Sequence, residues 1–215
     1  MFYLKWGFWL VFWAVVAAFF HYTLPQHDTV RIVNTYEERQ DLTDWTRIFW
    51  SNPEDQSASL SNRDVQFIQG VLPGGKAMVY RNEDTGWSWP PYFKFDTANL
   101  YTEANDAIST KDNPEWVVVK HYGWRNEFLS IFPNAISIKP APGPDYRPIP
   151  WLNIFILTLF FALVWAVWVR WRRFRAARID PVLEDVQESL DAAGDAVAAR
   201  RGRIKRWLDT WRSKK

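Results

Sequence analysis

The sequence predicts an α+β membrane protein with two transmembrane helices that flank a small mixed β-rich domain outside the cytoplasm. Two long apolar runs are separated by a segment in which apolar and polar residues alternate. Arginines cluster directly after the second run, as on the cytoplasmic side of a span. The predicted parts are an N-terminal transmembrane helix at 1–24, the β-rich domain at 25–149, a second transmembrane helix at 150–170, and a cytoplasmic basic segment with an amphipathic helix at 171–215.

The second apolar run, WLNIFILTLFFALVWAVWV, begins at Trp151 and has only Asn153 and Thr158 as polar residues. At about 1.5 Å per residue, its roughly 19 residues cross the hydrocarbon core as a helix. Tryptophan and arginine near the ends of a span anchor it at the interface. The predicted membrane-anchoring residues are Trp6, Trp151, Trp168, Trp171, Arg170, Arg172 and Arg173.

The first apolar run, at 6–20, has two interpretations. A secretory signal peptide would use Lys5 as its charged start and be cleaved after the small residues at 16–18. An uncleaved anchor would remain in the membrane, and the bulky Trp and Phe content favours this interpretation. Both interpretations place residues 25–149 outside the cytoplasm.

The charge distribution and the composition limit the kinds of partner and site that the protein can have. The formal charge is −5 over residues 25–149 and +6 over residues 170–215. Nucleic-acid binding would require basic charge on the folded domain, so no nucleic-acid partner is expected. The chain has no cysteine, which excludes disulfides, thiolate metal sites and cysteine nucleophiles.

Five strands are predicted in the outer domain from alternation and β-branched content. They are TVRIVNTY at 29–36, DVQFIQGV at 64–71, KAMVYRN at 76–82, WVVVKHY at 116–122 and SIFPNAISIK at 130–139. Pro133 within the last one indicates an edge or a bulge. A helix at 97–109 begins with Asp96 or Thr97 as N-cap. This order matches a five-stranded barrel of the oligonucleotide/oligosaccharide-binding type with one helix, and it also fits other small α+β sheets.

Two segments of the domain are irregular. In DLTDWTRIFW, at 41–50, Trp45, Ile48 and Trp50 are expected to be buried. The GWSWPP loop contains Trp87 and Trp89, and its two prolines exclude a central strand. These tryptophans either plug one end of the barrel, which we favour, or are exposed to stack on a sugar, a lipid headgroup or a protein partner.

Other candidate binding residues lie beside these loops. Gly123 is expected to allow a bulge that redirects Trp124 and Arg125. Arg125 is expected to pair with Glu83 or Asp84. The candidate binding residues are Arg81, Asp84, Trp87, Trp89, Trp124 and Arg125.

The sequence does not predict an enzyme. Glu83 and Asp84 are adjacent on one strand and point to opposite faces, so they make a poor catalytic pair. An acid–base pair of Asp84 and His121 is the remaining catalytic hypothesis. No serine elbow, phosphate loop or zinc motif occurs, so no catalytic residue, cofactor or metal site is expected.

Two blocks, MVYRNEDTGWSWPPYFKFDTANL at 78–100 and HYGWRNEFLSIFPNAISI at 121–138, resemble an uncharacterised bacterial family, the "domain of unknown function 1523" proteins. The resemblance extends from Arg31 to about Trp151. It implies an inner-membrane protein with a periplasmic middle domain and identifies no catalytic residue.

The tail is predicted to be one helix from Asp180 to about Trp211, continuous or bent near Gly194. Asp180-Pro181 is interpreted as its N-cap and first turn. Apolar residues recur every seven positions along it, which favours contact with protein or membrane over free solvation.

The leading functional prediction is an inner-membrane envelope protein, with N and C termini cytoplasmic, whose periplasmic domain binds or braces another envelope component as an accessory or scaffold subunit. The alternative is a periplasmic sensor of a sugar or lipid that signals through the cytoplasmic helix. A cell-envelope enzyme is the third hypothesis. The expected partners are the lipid bilayer and either another protein or a second copy of the chain.

Overall fold

The computed structural model of the chain describes residues 2–41, 50, 62–87 and 89–211. The helices are α1 (Phe2–Thr23), α2 (Thr97–Asp106), α3 (Trp151–Phe174) and α4 (Asp180–Trp211), and the strands are β1 (Gln26–Asp41), β2 (Asn62–Val71), β3 (Ala77–Asn82), β4 (Val117–Tyr122) and β5 (Asn134–Pro140). The chain divides into two compact units, residues 1–154 and 155–215. The predicted α+β class is confirmed.

The five strands form a closed barrel in the order β1-β2-β3-β5-β4. Strand β1 is long enough to pair with β4 through its first residues and with β2 through the rest. Neighbouring strands are antiparallel except β3 and β5, which meet in parallel at Arg81 and Asn134 and close the barrel. Of the two sequence-based alternatives, the structure therefore has the five-stranded barrel.

Pro133 lies outside the strand that the sequence predicted around it. Strand β5 begins one residue later, because proline has no N–H to donate to a ladder. The Pro133 carbonyl instead accepts a 2.9 Å hydrogen bond from the Arg81 amide. Of the two expectations for Pro133, the edge position is wrong, because this strand is paired on both sides within the described barrel. The expected bulge has its counterpart in a register shift of the β4–β5 pairing between Lys120 and His121.

The main core fills the barrel and is covered by α2. Leu100 and Ala104, four residues apart on one face of α2, pack against Val30, Ile32 and Tyr80. The helix begins as predicted at Asp96, whose carboxylate accepts the Asn99 amide at 2.9 Å.

A second, smaller core cluster consists of Trp50, Val65 and Phe67. Trp50 is buried, as the sequence predicted. The predictions for Trp45 and Ile48 fall on residues outside those that the structure describes.

Helices α3 and α4 are joined without a break by a π-helical turn, Arg175–Ile179. The N-cap interpretation of Asp180 is therefore wrong, since Asp180 is helical and its amide donates to the Arg175 carbonyl five residues back. Pro181 explains the wide turn, because its ring crowds the carbonyl of the preceding turn and it cannot donate a hydrogen bond. The helix continues through Gly194 to Trp211.

Two helical segments are long and apolar enough to cross a membrane, Tyr3–Thr23 and Trp151–Gly202. Their most apolar windows have mean hydropathies of 1.6 and 2.4. These segments overlap the two stretches, 1–24 and 150–170, that the sequence predicts as transmembrane helices.

Candidate functional site

The last turn of α1 is fastened to the barrel by three different contacts. The Trp124 indole donates to His21 Nδ1 at 2.9 Å, and the Gly123 amide donates to the Tyr22 carbonyl at 2.9 Å. The Tyr92 hydroxyl donates to the Thr23 carbonyl. Gly123 has a φ of +94°, which side chains rarely adopt, and this turn directs its amide towards α1.

The chain returns to the same edge of the barrel at the start of α3. Asn153 Nδ2 donates to the Pro25 carbonyl at 2.8 Å, and Pro25 lies between α1 and β1. The Thr29 hydroxyl donates to the Tyr146 carbonyl in the segment before α3. The segments that enter and leave the barrel are therefore held together at one place.

An open cleft of about 670 Å³ lies at this place, between the start of β1, the β2–β3 turn and the segment before α3. Its lining includes Lys76 and Arg147 together with Asp28 and Asp145. The cleft therefore presents charges of both signs beside the ends of two apolar helices.

Asp28 connects the cleft to two buried side chains. Tyr80 OH donates to Asp28 Oδ2 at 2.8 Å, and His121 Nε2 lies 3.0 Å from the same oxygen. Burial acts to raise the pKa of Asp28, but the hydrogen bonds and charge of His121 and the bond from Tyr80 outweigh it and hold the pKa below its usual value.

This cluster stabilises the fold better than it serves catalysis. Burial and the neighbouring Asp28 carboxylate raise the pKa of Tyr80 far above its ordinary value, so its hydroxyl is a poor base or nucleophile. His121 is only 2 % exposed. Sequence reasoning missed this cluster because its three residues come from three different strands.

A buried ion network lies at the end of β3. Glu83 pairs with Arg81 at 3.2 Å and also with Arg63. Both guanidinium groups lie over the Trp50 ring, at 5.2 Å for Arg81 and 5.7 Å for Arg63. Arg81, a candidate binding residue, is only 2 % exposed and is held inside this network.

Lys94 is a third buried basic residue, close to this network. Its ammonium donates to the Ala135 carbonyl at 2.9 Å and to the Asn82 side chain. Burial lowers the pKa of Lys94 to about 7, although the carboxylates of Asp84 and Glu83 oppose the shift. Burial in turn raises the pKa of Asp84, which lines a smaller cleft of about 190 Å³.

Trp87 and Trp89 are exposed, at 71 % and 65 %, so the favoured expectation that they plug the barrel is wrong. Trp89 stacks on Phe19 of α1 with ring centroids 5.7 Å apart. Trp87 contacts Phe93 and Phe95, which are also exposed. We call these four loop residues, Trp87, Trp89, Phe93 and Phe95, the aromatic ridge.

The other candidate binding residues lie apart from the ridge. Trp124 is half-buried against α1, through its bond to His21. Arg125 donates to the Ile131 carbonyl at 3.2 Å and lies 4.5 Å from the Phe132 ring centre. The expected pairing of Arg125 with Glu83 or Asp84 is wrong, because Arg63 and Arg81 pair with Glu83.

Asp84 and His121, the hypothetical acid–base pair, have different partners. His121 contacts Asp28 and Tyr80, whereas the charges around Asp84 are those of Lys94 and Asp96. Among the described residues, no group of three or more His, Asp or Glu side chains could hold a metal ion.

The predicted anchoring side chains are exposed along the two apolar helices. Arg172 lies 4.9 Å above the Trp168 ring. The full set is Trp6, Trp151, Trp168, Trp171, Arg170, Arg172 and Arg173. Such a sequence of aromatic and basic side chains is typical of a membrane interface.

The fold and site define an α+β protein in which a five-stranded barrel is fastened to a helix apolar enough to cross a membrane. The chain belongs to the family described as "Protein of unknown function (DUF1523)", whose model matches residues 2–175. It is 38% identical over 148 residues to an uncharacterized protein of Haemophilus influenzae, covering 66% of this chain and 80% of that protein. No solved structure matches it. The resemblance seen in the two sequence blocks is confirmed.

Proposed function

We propose that the chain is a bacterial inner-membrane protein whose periplasmic barrel binds or braces another envelope component, as an accessory or scaffold subunit. The observation that carries the proposal is the fixed attachment of the barrel to α1, through Trp124, Gly123 and Tyr92. A domain held this way keeps one height and orientation above the membrane. That suits a surface presented to a partner.

Charge supports the orientation. Five arginines, at positions 170, 172, 173, 175 and 178, follow the apolar part of α3, and such clusters remain in the cytoplasm. The barrel precedes α3 and would thus be periplasmic, with both termini of the chain cytoplasmic. The proposed partners are the bilayer and either another protein or a second copy of the chain, with no nucleic acid and no catalytic step.

The topology can be tested with alkaline phosphatase, which is active only outside the cytoplasm. A fusion after Gly143 should be active, and a fusion after Lys215 should be silent. A matched pair with a cytoplasm-active reporter at the same positions should give the reverse pattern. Activity at Lys215 with silence at Gly143 contradicts the proposed orientation.

The accessory role can be tested by purification in mild detergent followed by mass spectrometry. The full chain should retain a defined set of envelope proteins or a second copy. A chain truncated after Arg178 should remain in the membrane and lose part of this set, since α4 is proposed to contact a partner. A full chain that purifies alone as a monomer contradicts the role.

A periplasmic sensor is a second candidate, favoured by the uninterrupted helix from the start of α3 to the end of α4. Such a helix could carry a change from the barrel to the tail. Hydrogen exchange in α4 of the full chain should then change when N-acetylglucosamine or phosphatidylglycerol is added, and Trp87→Ala should abolish the change. Unaltered exchange with both probes favours the scaffold.

A further inference from the structure

We propose that the aromatic ridge inserts into the outer leaflet of the membrane beside α1, as a second anchor that fixes the barrel against the lipid surface. The inference rests on α1 crossing the membrane, which belongs to the proposed function. It adds a lipid-binding surface formed by the loop between β3 and α2.

The depth of the ridge follows from the length of α1. The apolar segment Tyr3–Thr23 has 21 residues. At about 1.5 Å per residue it spans roughly 30 Å, which is the thickness of the hydrocarbon core, so nearly all of it is needed to cross. Phe19 lies one turn before the end of this segment and is therefore within the outer lipid boundary.

Trp89 lies at the depth of Phe19, because the two rings stack with an interplanar angle of 15°. Trp87, Phe93 and Phe95 extend the same surface, each more than half exposed. An exposed aromatic cluster continuous with a transmembrane helix has lipid as its nearest apolar surroundings. Tryptophan is also the side chain that membrane interfaces favour.

The loop carries no charge into the lipid. Residues 85–93 contain no charged side chain. Lys94, the next residue, turns inward, where its ammonium donates to the Ala135 carbonyl. The burial of Lys94 keeps its ammonium group away from the exposed rings of Phe93 and Phe95.

The two ends of the loop are joined by backbone hydrogen bonds. The amides of Thr85 and Gly86 both donate to the Lys94 carbonyl at 3.0 Å, which closes the base of the loop. Phe93 has a φ of +51°, an unfavourable conformation for a bulky residue, and its ring nevertheless remains exposed. This backbone conformation places the Phe93 ring beside Trp87 on the surface.

The absence of cysteine in the chain allows depth to be measured with single nitroxide labels. The full chain would be reconstituted in vesicles of phosphatidylethanolamine and phosphatidylglycerol. Labels would be placed at Trp87→Cys and Pro91→Cys, the second of which keeps all four rings. Asp112→Cys is the control in the same barrel domain. Residue 112 lies before the start of β4, and the end of β4 is the part that adjoins α1, so this position should lie away from the membrane. Val15→Cys reports the depth of α1 itself.

The ratio of oxygen to nickel-chelate collision rates should be several-fold higher at positions 87 and 91 than at position 112, because oxygen partitions into lipid. Equal ratios at all three positions overturn the inference. Shielding of positions 87 and 91 from both reagents also overturns it, since a protein partner or second copy would then cover the ridge. If the Val15 label is itself in water, the proposed topology fails. A deep Val15 label with ridge labels in water refutes the ridge alone.

Discussion

Asn153 donates a 2.8 Å hydrogen bond from its side-chain amide to the backbone carbonyl of Pro25, across 128 residues of sequence. The bond joins the first turn of α3 to the residue that links α1 to the barrel. Polar groups are uncommon in apolar spans, and this one has a specific partner.

We expect Asn153→Leu to lower the free energy of unfolding by about 1 kcal/mol, because the Pro25 carbonyl loses its donor. Thr158→Val, an exposed polar-to-apolar change in the same helix, should change it by less than about 0.5 kcal/mol. Thermal unfolding in detergent, followed by tryptophan fluorescence, measures both. Equal midpoints for the two variants would show that the bond contributes nothing.

The buried network around Glu83 gives a second prediction. Glu83→Gln should destabilise the protein by about 3–5 kcal/mol, because it leaves the cations of Arg63 and Arg81 buried without their carboxylate. Asp64→Asn, an exposed carboxylate on β2, is the matched control and should have little effect. Chemical denaturation of both variants measures the difference, and a Glu83→Gln protein as stable as the control contradicts the expected role.

Lys94 should make stability rise with pH. Burial lowers its pKa from 10.5 to about 7, so between these values the unfolded chain binds more protons than the folded one. Raising the pH through this window therefore favours folding, and each pKa unit of difference corresponds to about 1.4 kcal/mol.

In Lys94→Met the stability curve should be flatter between pH 7 and pH 9.5 than in the native chain. Lys111→Met, at an exposed lysine, serves as the control and should keep the native slope. Unfolding midpoints measured across this range give the slopes. Identical slopes for the native chain and Lys94→Met would exclude a buried, neutralised lysine.

Asp28 should also make stability rise with pH, but in the acid range. Its pKa is held below 3.8, so its contribution to stability is complete above that value and is lost as the pH falls through the folded pKa. Asp28→Asn should therefore lose less stability than the native chain on acidification below about pH 4. Asp145→Asn, on the same cleft, should behave like the native chain. Acid titration followed by circular dichroism distinguishes them.

Local sequence patterns predict the helices and strands well, because each pattern depends only on residues that are close together in the chain. Alternation placed all five strands, although β1 extends further in both directions than 29–36. Asp96 is one of the two N-cap candidates that the sequence offers, because its carboxylate has to reach an amide only three residues ahead. The local pattern at Pro181 predicts the start of a helix. In the structure Pro181 lies inside a longer helix, just after the π-helical turn at Arg175–Ile179.

The exposure of Trp87 and Trp89 could not be predicted, because a Trp in a Pro-rich loop has the same local sequence pattern whether it is buried or exposed. Trp89 is exposed and stacks on Phe19 of α1, about 70 residues earlier in the chain. Trp50, by contrast, is buried beneath the guanidinium groups of Arg63 and Arg81, which come from two strands. The partner of Glu83 was misjudged for a similar reason. Arg125 has the right charge to pair with Glu83 and lies in a conspicuous sequence motif. The strand register of the barrel instead brings Arg63 and Arg81 to the Glu83 carboxylate.

The sequence by itself determined the two apolar helices, the intervening β-rich domain and the family, because hydropathy, alternation and motif blocks are local or additive properties of the chain. Only the tertiary structure decided which side chains meet. Closure of the barrel between β3 and β5 and the fastening of Trp124 and Asn153 bring together residues up to 128 positions apart. Such contacts depend on strand register and loop geometry, which no local pattern encodes.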